Sequence, residues 1–321
     1  MTPARKEAAS FKIRRIALLG YGAMGQRHVR ALRAWPERLV TLGGVYDADP
    51  SVIPSDLRAY TSEAEAIADA DVLFVATPIQ AHADTVLRAL TAGCDVFVEK
   101  PIGATAEEAS AMVEAAEKSG RRLFVGHSER FNPVVRALRR ELMTASIRSL
   151  TFCRVGAPRS RSRDVLLNLA VHDFDLASYL TDSRAFARAA SGREDAADVL
   201  LSTERGCRAR VHVAREGERE RWLRVATDSA IYHGDLLRFR LTMRDRASQR
   251  ERELELDTEE PLVAQTRAVF DALDGRPSEI ATGYDGARAV RVAEKCLTLL
   301  TTSVVHSPAT DVQSLLPDHP G

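Results

Sequence analysis

The sequence predicts an α/β protein in two portions: an N-terminal doubly wound parallel sheet, then an α+β portion with a largely antiparallel open sheet. Three observations predict it. Gly20, Gly22 and Gly25 stand at G-x-G-x-x-G spacing directly behind the apolar run 13–19. Strand-like and helix-like segments alternate as far as residue 126. Beyond it, short apolar runs follow one another through short connections, the pattern of antiparallel pairing.

Residues 13–19 form the first strand. The loop Gly20-Tyr21-Gly22-Ala23-Met24-Gly25 follows it. Gly20 permits the tight turn, Gly22 lets backbone approach a pyrophosphate, and Gly25 lets the next helix pack close. The helix that opens there directs free N–H groups at the phosphates. This is a Rossmann-type start, and residues 26–35 continue it as a helix with Met24, Ala31, Leu32 and Trp35 as its apolar face, ending before Pro36. Residues 39–46 are the second strand, closed by Asp47. Ser62 caps a short helix through residue 68. Residues 72–76 are wholly apolar, as in a strand covered on both faces. A helix over 82–91, a strand over 95–98, a helix over 106–119 stopped by Gly120, and a strand over 122–126 complete a unit spanning 1–126. Residues 1–10 read as a loose leader.

The second unit spans 127–302. Asn132-Pro133 starts a helix that reaches 142. A strand over 150–155 and a helix over 165–180 follow. Strands are expected at 197–203, 207–214, 222–226, 236–243 and 252–256, with a hairpin loop at 203–206. Helices over 262–273 and 287–300 close the chain. Residues 303–321 carry three prolines and no periodicity, and read as a disordered tail.

The composition narrows the function. Lys plus Arg and Asp plus Glu total 45 each among 321 residues, so charge points neither to nucleic acid nor to a membrane surface. The mixed run 216–224 reads as a solvated face. Cys94, Cys153, Cys207 and Cys296 lie far apart with no C-x-x-C. That argues against a metal site or a disulfide framework and fits a cytoplasmic, reducing compartment. No apolar run approaches the roughly 18 residues of a membrane span.

The chemistry-bearing residues sit at the predicted strand ends, where ligands bind on such sheets. Asp47, about 27 residues beyond Gly20, can accept from adenosine ribose hydroxyls and would repel a 2′-phosphate. NAD is therefore expected over NADP. Thr77-Pro78 and His82 edge the nicotinamide side, with a capping role for His82 equally open. Glu99-Lys100-Pro101 follows the fourth strand. A lysine there can protonate a carbonyl oxygen as hydride reaches its carbon, or hold the alkoxide by charge. A surface lysine in a turn is the plainer alternative. Asn168, His172, Asp175 and Tyr179 fall at i, i+4, i+7 and i+11, one polar stripe on an otherwise apolar helix. The stripe reads either as a cavity wall or as a satisfied core histidine with exposed Asp173 and Asp175. Arg154, Arg159, Arg161 and Arg163 surround a loop that could hold a substrate diphosphate or carboxylate, or simply be solvated.

At these positions the chain resembles the Gfo/Idh/MocA family of nicotinamide-dependent oxidoreductases. The resemblance rests on Gly20-Tyr-Gly22-Ala-Met-Gly25-Gln-Arg-His28, Thr77-Pro78 with His82, Glu99-Lys100-Pro101, Gly126-His127-Ser-Glu-Arg130-Phe-Asn132-Pro133 and His172-Asp173-Phe-Asp175. It covers about residues 12–300 and is nearest to the branch of nucleotide-sugar 3-dehydrogenases and related sugar or cyclitol oxidoreductases. It implies that Lys100 and His172 face the substrate and that the Lys100–Pro101 bond is cis. It also implies that the open sheet of the second unit forms a homodimer or homotetramer interface. The substrate implied is a sugar, nucleotide sugar or cyclitol. One departure stands out: the family commonly carries aspartate four residues before the histidine, and here Asn168 occupies that place. Three workings fit it: a Lys–His pair that suffices alone, reduction of a secondary-metabolite ketone or imine, or a catalytically impaired NAD-binding protein. A net non-redox reaction using NAD transiently also occurs in the family.

Overall fold

The computed structural model describes residues 14–35, 40–156 and 164–303. A six-stranded sheet comes first. β1 (Arg14–Leu19), β2 (Val40–Tyr46), β3 (Val72–Val75), β4 (Asp95–Val98) and β5 (Leu123–Val125) pair in parallel, in the order β5-β4-β3-β1-β2. Ile16–Leu19 and Val72–Val75 are almost fully buried because helices cover both faces. The helices between these strands are α1 (Ala23–Arg33), α2 (Glu63–Asp69), α3 (His82–Thr91) and α4 (Ala106–Ser119). Their starts are locally encoded. Ser62 Oγ accepts from Glu65 N at 3.1 Å, and Thr105 Oγ1 accepts from Glu108 N at 3.1 Å. Gly120, at φ +62°, ends α4 as expected.

The second sheet has eight strands in the order β13-β12-β11-β10-β6-β9-β8-β7. They are β6 (Ile147–Val155), β7 (Ala185–Arg193), β8 (Ala196–Thr203), β9 (Arg208–Ala214), β10 (Glu220–Thr227), β11 (Ala230–Asp235), β12 (Arg240–Asp245) and β13 (Glu251–Glu253). All neighbours are antiparallel except β6 and β9. α5 (Pro133–Glu141) and α6 (Val171–Thr181) pack on one face of it.

Several expectations need correction. The strand expected at 236–243 is broken: Asp235 Oδ1 accepts from Leu237 N at 2.9 Å and Arg238 N at 2.8 Å, turning the chain between β11 and β12. Its alternating apolar residues are a turn and half a strand. β7 escaped detection because Ala and Arg dominate it, and pairing with β8, not propensity, makes it a strand. The helix expected at 165–180 divides into a wider π-helical turn (Leu166–Ala170) and α6.

The chain also returns to the first sheet, so the unit 1–126 is not closed by its own residues. α7 (Pro261–Leu273) packs with α1 and the β1 face. β14 (Ala281–Thr282) adds antiparallel to β5. α8 (Gly283–Ser303) spans both cores: Ala287 and Val290 belong to the first, Ala289, Val292, Ala293 and Cys296 to the second.

Candidate active site

The parallel strands end level with one another. Gly20 N donates to Tyr46 O, Ala76 N to Leu19 O, Glu99 N to Val75 O and Gly126 N to Val98 O, each at 2.8 Å. The chain runs from β1 outward to β2, then crosses back to β3, which puts the switch point between Gly20 and Thr77. Gly20 sits at φ +89°, and a Cβ there would lie 2.6 Å from Ala76 O. A Cβ on Gly25 would overlap the Gly20 carbonyl oxygen, so helix and strand touch through it. A Cβ on Gly22 would meet nothing within 4 Å. It would project into the open space in front of α1, where a pyrophosphate must come close. Tyr21, Ala23 and Met24 complete this cradle. Asp47 stands beside it: Oδ2 accepts from Tyr21 N at 2.7 Å and Oδ1 from Asp49 N at 3.0 Å. The Thr77 hydroxyl is buried with no hydrogen-bond partner and borders the adjoining cleft. The open cradle and this unspent donor fit a dinucleotide.

That cleft encloses 1130 Å³. Met24, Thr77, His82, Glu99 and Lys100 border it from the parallel sheet, Asn168 and His172 from the π turn and the start of α6. His82 is 2% exposed. Its Nδ1 lies 3.0 Å from Pro101 O and its Nε2 2.9 Å from Thr77 O. It ties together the loops after β3 and β4, next to Pro78, and is neither a solvent-facing histidine nor a simple cap. The Lys100–Pro101 bond is cis.

Lys100 Nζ donates to the Asn168 backbone oxygen at 3.1 Å. Burial lowers its pKa most; Glu99 and Glu129 pull it up, Arg154 and Arg221 push it down, and the net is below an ordinary lysine. Burial also acts on Glu99, raising its pKa, but a 2.7 Å contact to His28 Nε2 and the nearby Lys100 charge outweigh it and leave the carboxyl below its usual range. The other oxygen of the same carboxylate holds the turn, since Glu99 Oε2 accepts from Lys100 N at 3.2 Å. His172 is pushed well below the ordinary histidine value by burial, then by Lys100, Arg154, His127 and Arg221. It is a neutral imidazole at neutral pH.

The polar stripe does not reach the cleft along its whole length. Asp175 is 3% exposed and accepts from Arg130 Nε and Nη2 at 2.8 and 2.6 Å. Tyr179 lies under the Arg130 and Arg139 guanidiniums, 4.7 and 5.0 Å from its ring centre. Only the first turn of α6 borders the cleft, so these two are held in ion and cation–π contacts instead of lining a substrate wall. Asp173, expected exposed in one reading, is buried on Arg154 at 3.0 and 2.7 Å. Arg154 is thereby occupied, 2% exposed, and does not serve the anion loop expected of it. Arg159, Arg161 and Arg163 lie outside the described residues.

Four arginines that border the cleft were not among the expected site residues. Arg221 borders the cleft and pairs with Glu129 at 2.6 Å, although 216–224 read as a solvated face. Arg219, Arg27 and Arg30 also border it. The signal available was the apolar alternation Trp222, Leu223, Val225, which marks β10 as a strand with Arg221 at its start, near the cleft.

A dinucleotide cradle that opens onto a lysine and a neutral histidine belongs, as a class, to the dinucleotide-dependent oxidoreductases. Residues 14–127 match the model of the Gfo/Idh/MocA proteins, an oxidoreductase family with an NAD-binding Rossmann fold. The rhizopine catabolism protein MocA of Rhizobium meliloti is 30% identical over 229 residues, 63% of this chain and 71% of that protein. Inositol 2-dehydrogenase of Rhizobium meliloti strain 1021 is 29% identical over 229 residues, 63% of this chain and 68% of that one. The structure of UDP-N-acetylglucosamine 3-dehydrogenase GnnA from Acidithiobacillus ferrooxidans superposes with a TM-score of 0.81 at 26% identity, covering 91% of this chain and 99% of the other. The chain belongs to the Gfo/Idh/MocA family and is an NAD-binding oxidoreductase. Among the described residues no helix is long and apolar enough to cross a membrane, and no cluster of side chains could hold a metal.

Proposed function

We propose that this oxidoreductase moves hydride between NAD and a secondary carbinol or ketone of a nucleotide sugar. One observation carries the reading: Lys100 and His172 border a single cleft with the strand ends that carry the dinucleotide cradle. When bound, the nicotinamide supplies the hydride acceptor or donor. Lys100, easier to deprotonate than an ordinary lysine, takes the hydroxyl proton in oxidation and returns it in reduction. Neutral His172 is its partner, and Asn168 anchors a substrate hydroxyl. Gly20, Tyr21, Gly22, Ala23, Met24 and Gly25 hold the pyrophosphate, Asp47 the adenosine ribose, and Thr77, Pro78, His82 and Glu99 shape the nicotinamide side. A 2′-phosphate would meet the Asp47 carboxylate, which favours NAD over NADP.

Arg27, Arg30, Arg219 and Arg221 around the cleft, beside Leu236, Leu237 and Phe239, favour a substrate that carries a diphosphate and a flat apolar end over a free cyclitol. Arg159 and Arg161 would extend that anion site. Asn168 supports a second reading, in which the enzyme works in the reductive direction on a ketone or imine. We place the chain in the cytoplasm as a homodimer or homotetramer joined through the open sheet, divided into a dinucleotide unit at 1–126 and a substrate unit at 127–302. The test is NADH formation with NAD and, in separate assays, UDP-N-acetylglucosamine and myo-inositol. Turnover of the nucleotide sugar alone is expected. Turnover of myo-inositol alone overturns the substrate reading, and no change in NADH with either removes the oxidative one.

A further inference from the structure

Directly beneath His172, three buried ring nitrogens have no hydrogen-bond partner: His172 Nδ1 and both nitrogens of His127. His127 is 1% exposed. Its ring meets His172 edge-on with centroids 6.3 Å apart, and its Nδ1 lies 3.9 Å from Asp175 Oδ2. Arg130 grips that carboxylate with two nitrogens and itself lies 3.6 Å from Asp285 of α8. A buried polar group left unpaired is destabilising. Three such atoms lie on two rings in edge contact, and one of them faces the Asp175 carboxylate, which makes a row from the cleft-bordering histidine to that carboxylate. His127 Nδ1 stands just beyond direct hydrogen-bond distance of Asp175 Oδ2, a gap that a small shift or one ordered water would close; such a water typically bonds about three groups in proteins.

We propose that His127 is a positioning residue for His172, and that with Asp175 behind it His127 holds His172 as the Nδ1–H tautomer. This rests on the reading of His172 as the partner of Lys100. In that tautomer, His172 Nδ1–H donates toward His127 Nε2, and His127 Nδ1–H donates toward Asp175 Oδ2. His172 Nε2 is then left to accept a hydrogen bond from a substrate hydroxyl and to orient it while Lys100 takes the proton; His172 itself stays neutral through the step. No electrons move along the row.

The surroundings disfavour charge on both rings. His127 faces Asp175 on α6, Arg130 on the turn before α5, Asp285 on α8 and Lys100 after β4. Burial lowers its pKa most, with Arg130 and Lys100 adding to the fall and the two aspartates opposing it. His172 faces Lys100, Arg154, His127 and Arg221, all of which oppose its charging.

The test uses the full chain with bound NADH and histidine labelled with ¹⁵N, whose ring shifts report the tautomer. Wild type is expected to show His172 protonated on Nδ1 between about pH 6 and 8. His127→Phe keeps a ring in the core and removes both nitrogens. It should abolish that tautomer preference. It should also lower kcat on the substrate that the NADH assay identifies by about tenfold or more, KM staying within about twofold, and move the acidic limb of the kcat profile. His127→Asn, which keeps a donor and an acceptor, should restore part of kcat. An unchanged tautomer and unchanged limb in His127→Phe overturn the proposal, whether or not the melting temperature falls. His172→Asn with full kcat would instead remove the role of His172 itself, while the tautomer measurement still stands.

Discussion

Replacing Lys100 by methionine separates chemistry from folding in this protein. Methionine keeps the length and apolar stem of lysine and removes its titratable amine from the cleft. In the structure that nitrogen donates to the Asn168 backbone oxygen at 3.1 Å and otherwise sits where burial disfavours its charge. Burial lowers its pKa first, so the folded state carries a penalty for the ammonium that the unfolded chain does not. The variant should therefore melt at the same temperature as wild type or higher. Proton transfer by a positioned side chain contributes about 10²–10⁴-fold, which is about 3–5 kcal/mol of barrier. kcat should fall by that factor. NADH affinity should change little, because the cradle at Gly20–Gly25 and Asp47 lies at other strand ends. The assay pairs steady-state turnover with NADH fluorescence titration and thermal melting. A variant that keeps turnover within about tenfold of wild type refutes Lys100 as the acid/base; one that loses turnover and NADH binding together reduces it to a structural residue.

Other outcomes follow from the same geometry. Asp47→Ala removes the acceptor beside the cradle; at about 1.5–3 kcal/mol for a charge-assisted hydrogen bond, KM for NAD should rise about tenfold or more while kcat holds, and use of NADP should improve. An unchanged NAD/NADP preference would refute the ribose role. Asn168→Asp introduces a carboxylate close to Lys100 and should move the basic limb of the kcat profile upward; a limb that stays in place would show that the side chain at 168 does not sense Lys100. His127 and His172 are both pushed down by burial, so the unfolded chain binds protons near its ordinary histidine value of about 6.5 and the folded one only at lower pH. Stability is full above that value and is lost as pH falls below it. Melting temperatures from about pH 8 to 5 should drop more steeply for wild type than for His127→Phe, and parallel curves would contradict the assignment.

What was legible in the sequence was what short range dictates. The glycine spacing, the end of β2 at Asp47 and the Glu99-Lys100-Pro101 turn each depend on a few consecutive residues, and each stands where expected. The caps at Ser62, Gly120 and Asn132 were legible for the same reason. The polar stripe was misjudged because periodicity gives direction around a helix axis but not depth along it. Asn168 and His172 border the cleft, while Asp175 and Tyr179, further along, meet Arg130 and Arg139. Arg130, Arg154, Arg221 and Glu129 form their pairs across segments distant in sequence, and nothing local distinguishes a buried arginine from a solvated one. β7 was hidden for a related reason, since its partner strand decides its conformation.

The returning C-terminal chain has a consequence for how this protein can be cut. β14 covers the outer edge of β5, α7 covers the β1 face, and α8 is shared by both cores. A fragment ending at residue 126 would expose an unpaired strand edge and an apolar face, the conditions for aggregation. Cofactor-binding and substrate-binding halves are therefore not separable modules that evolution or an engineer can exchange by a single crossover near residue 127. A functional chimera needs two junctions, the second before residue 261, so that the donor of the first sheet also brings its own α7, its final strand and the first half of its last helix.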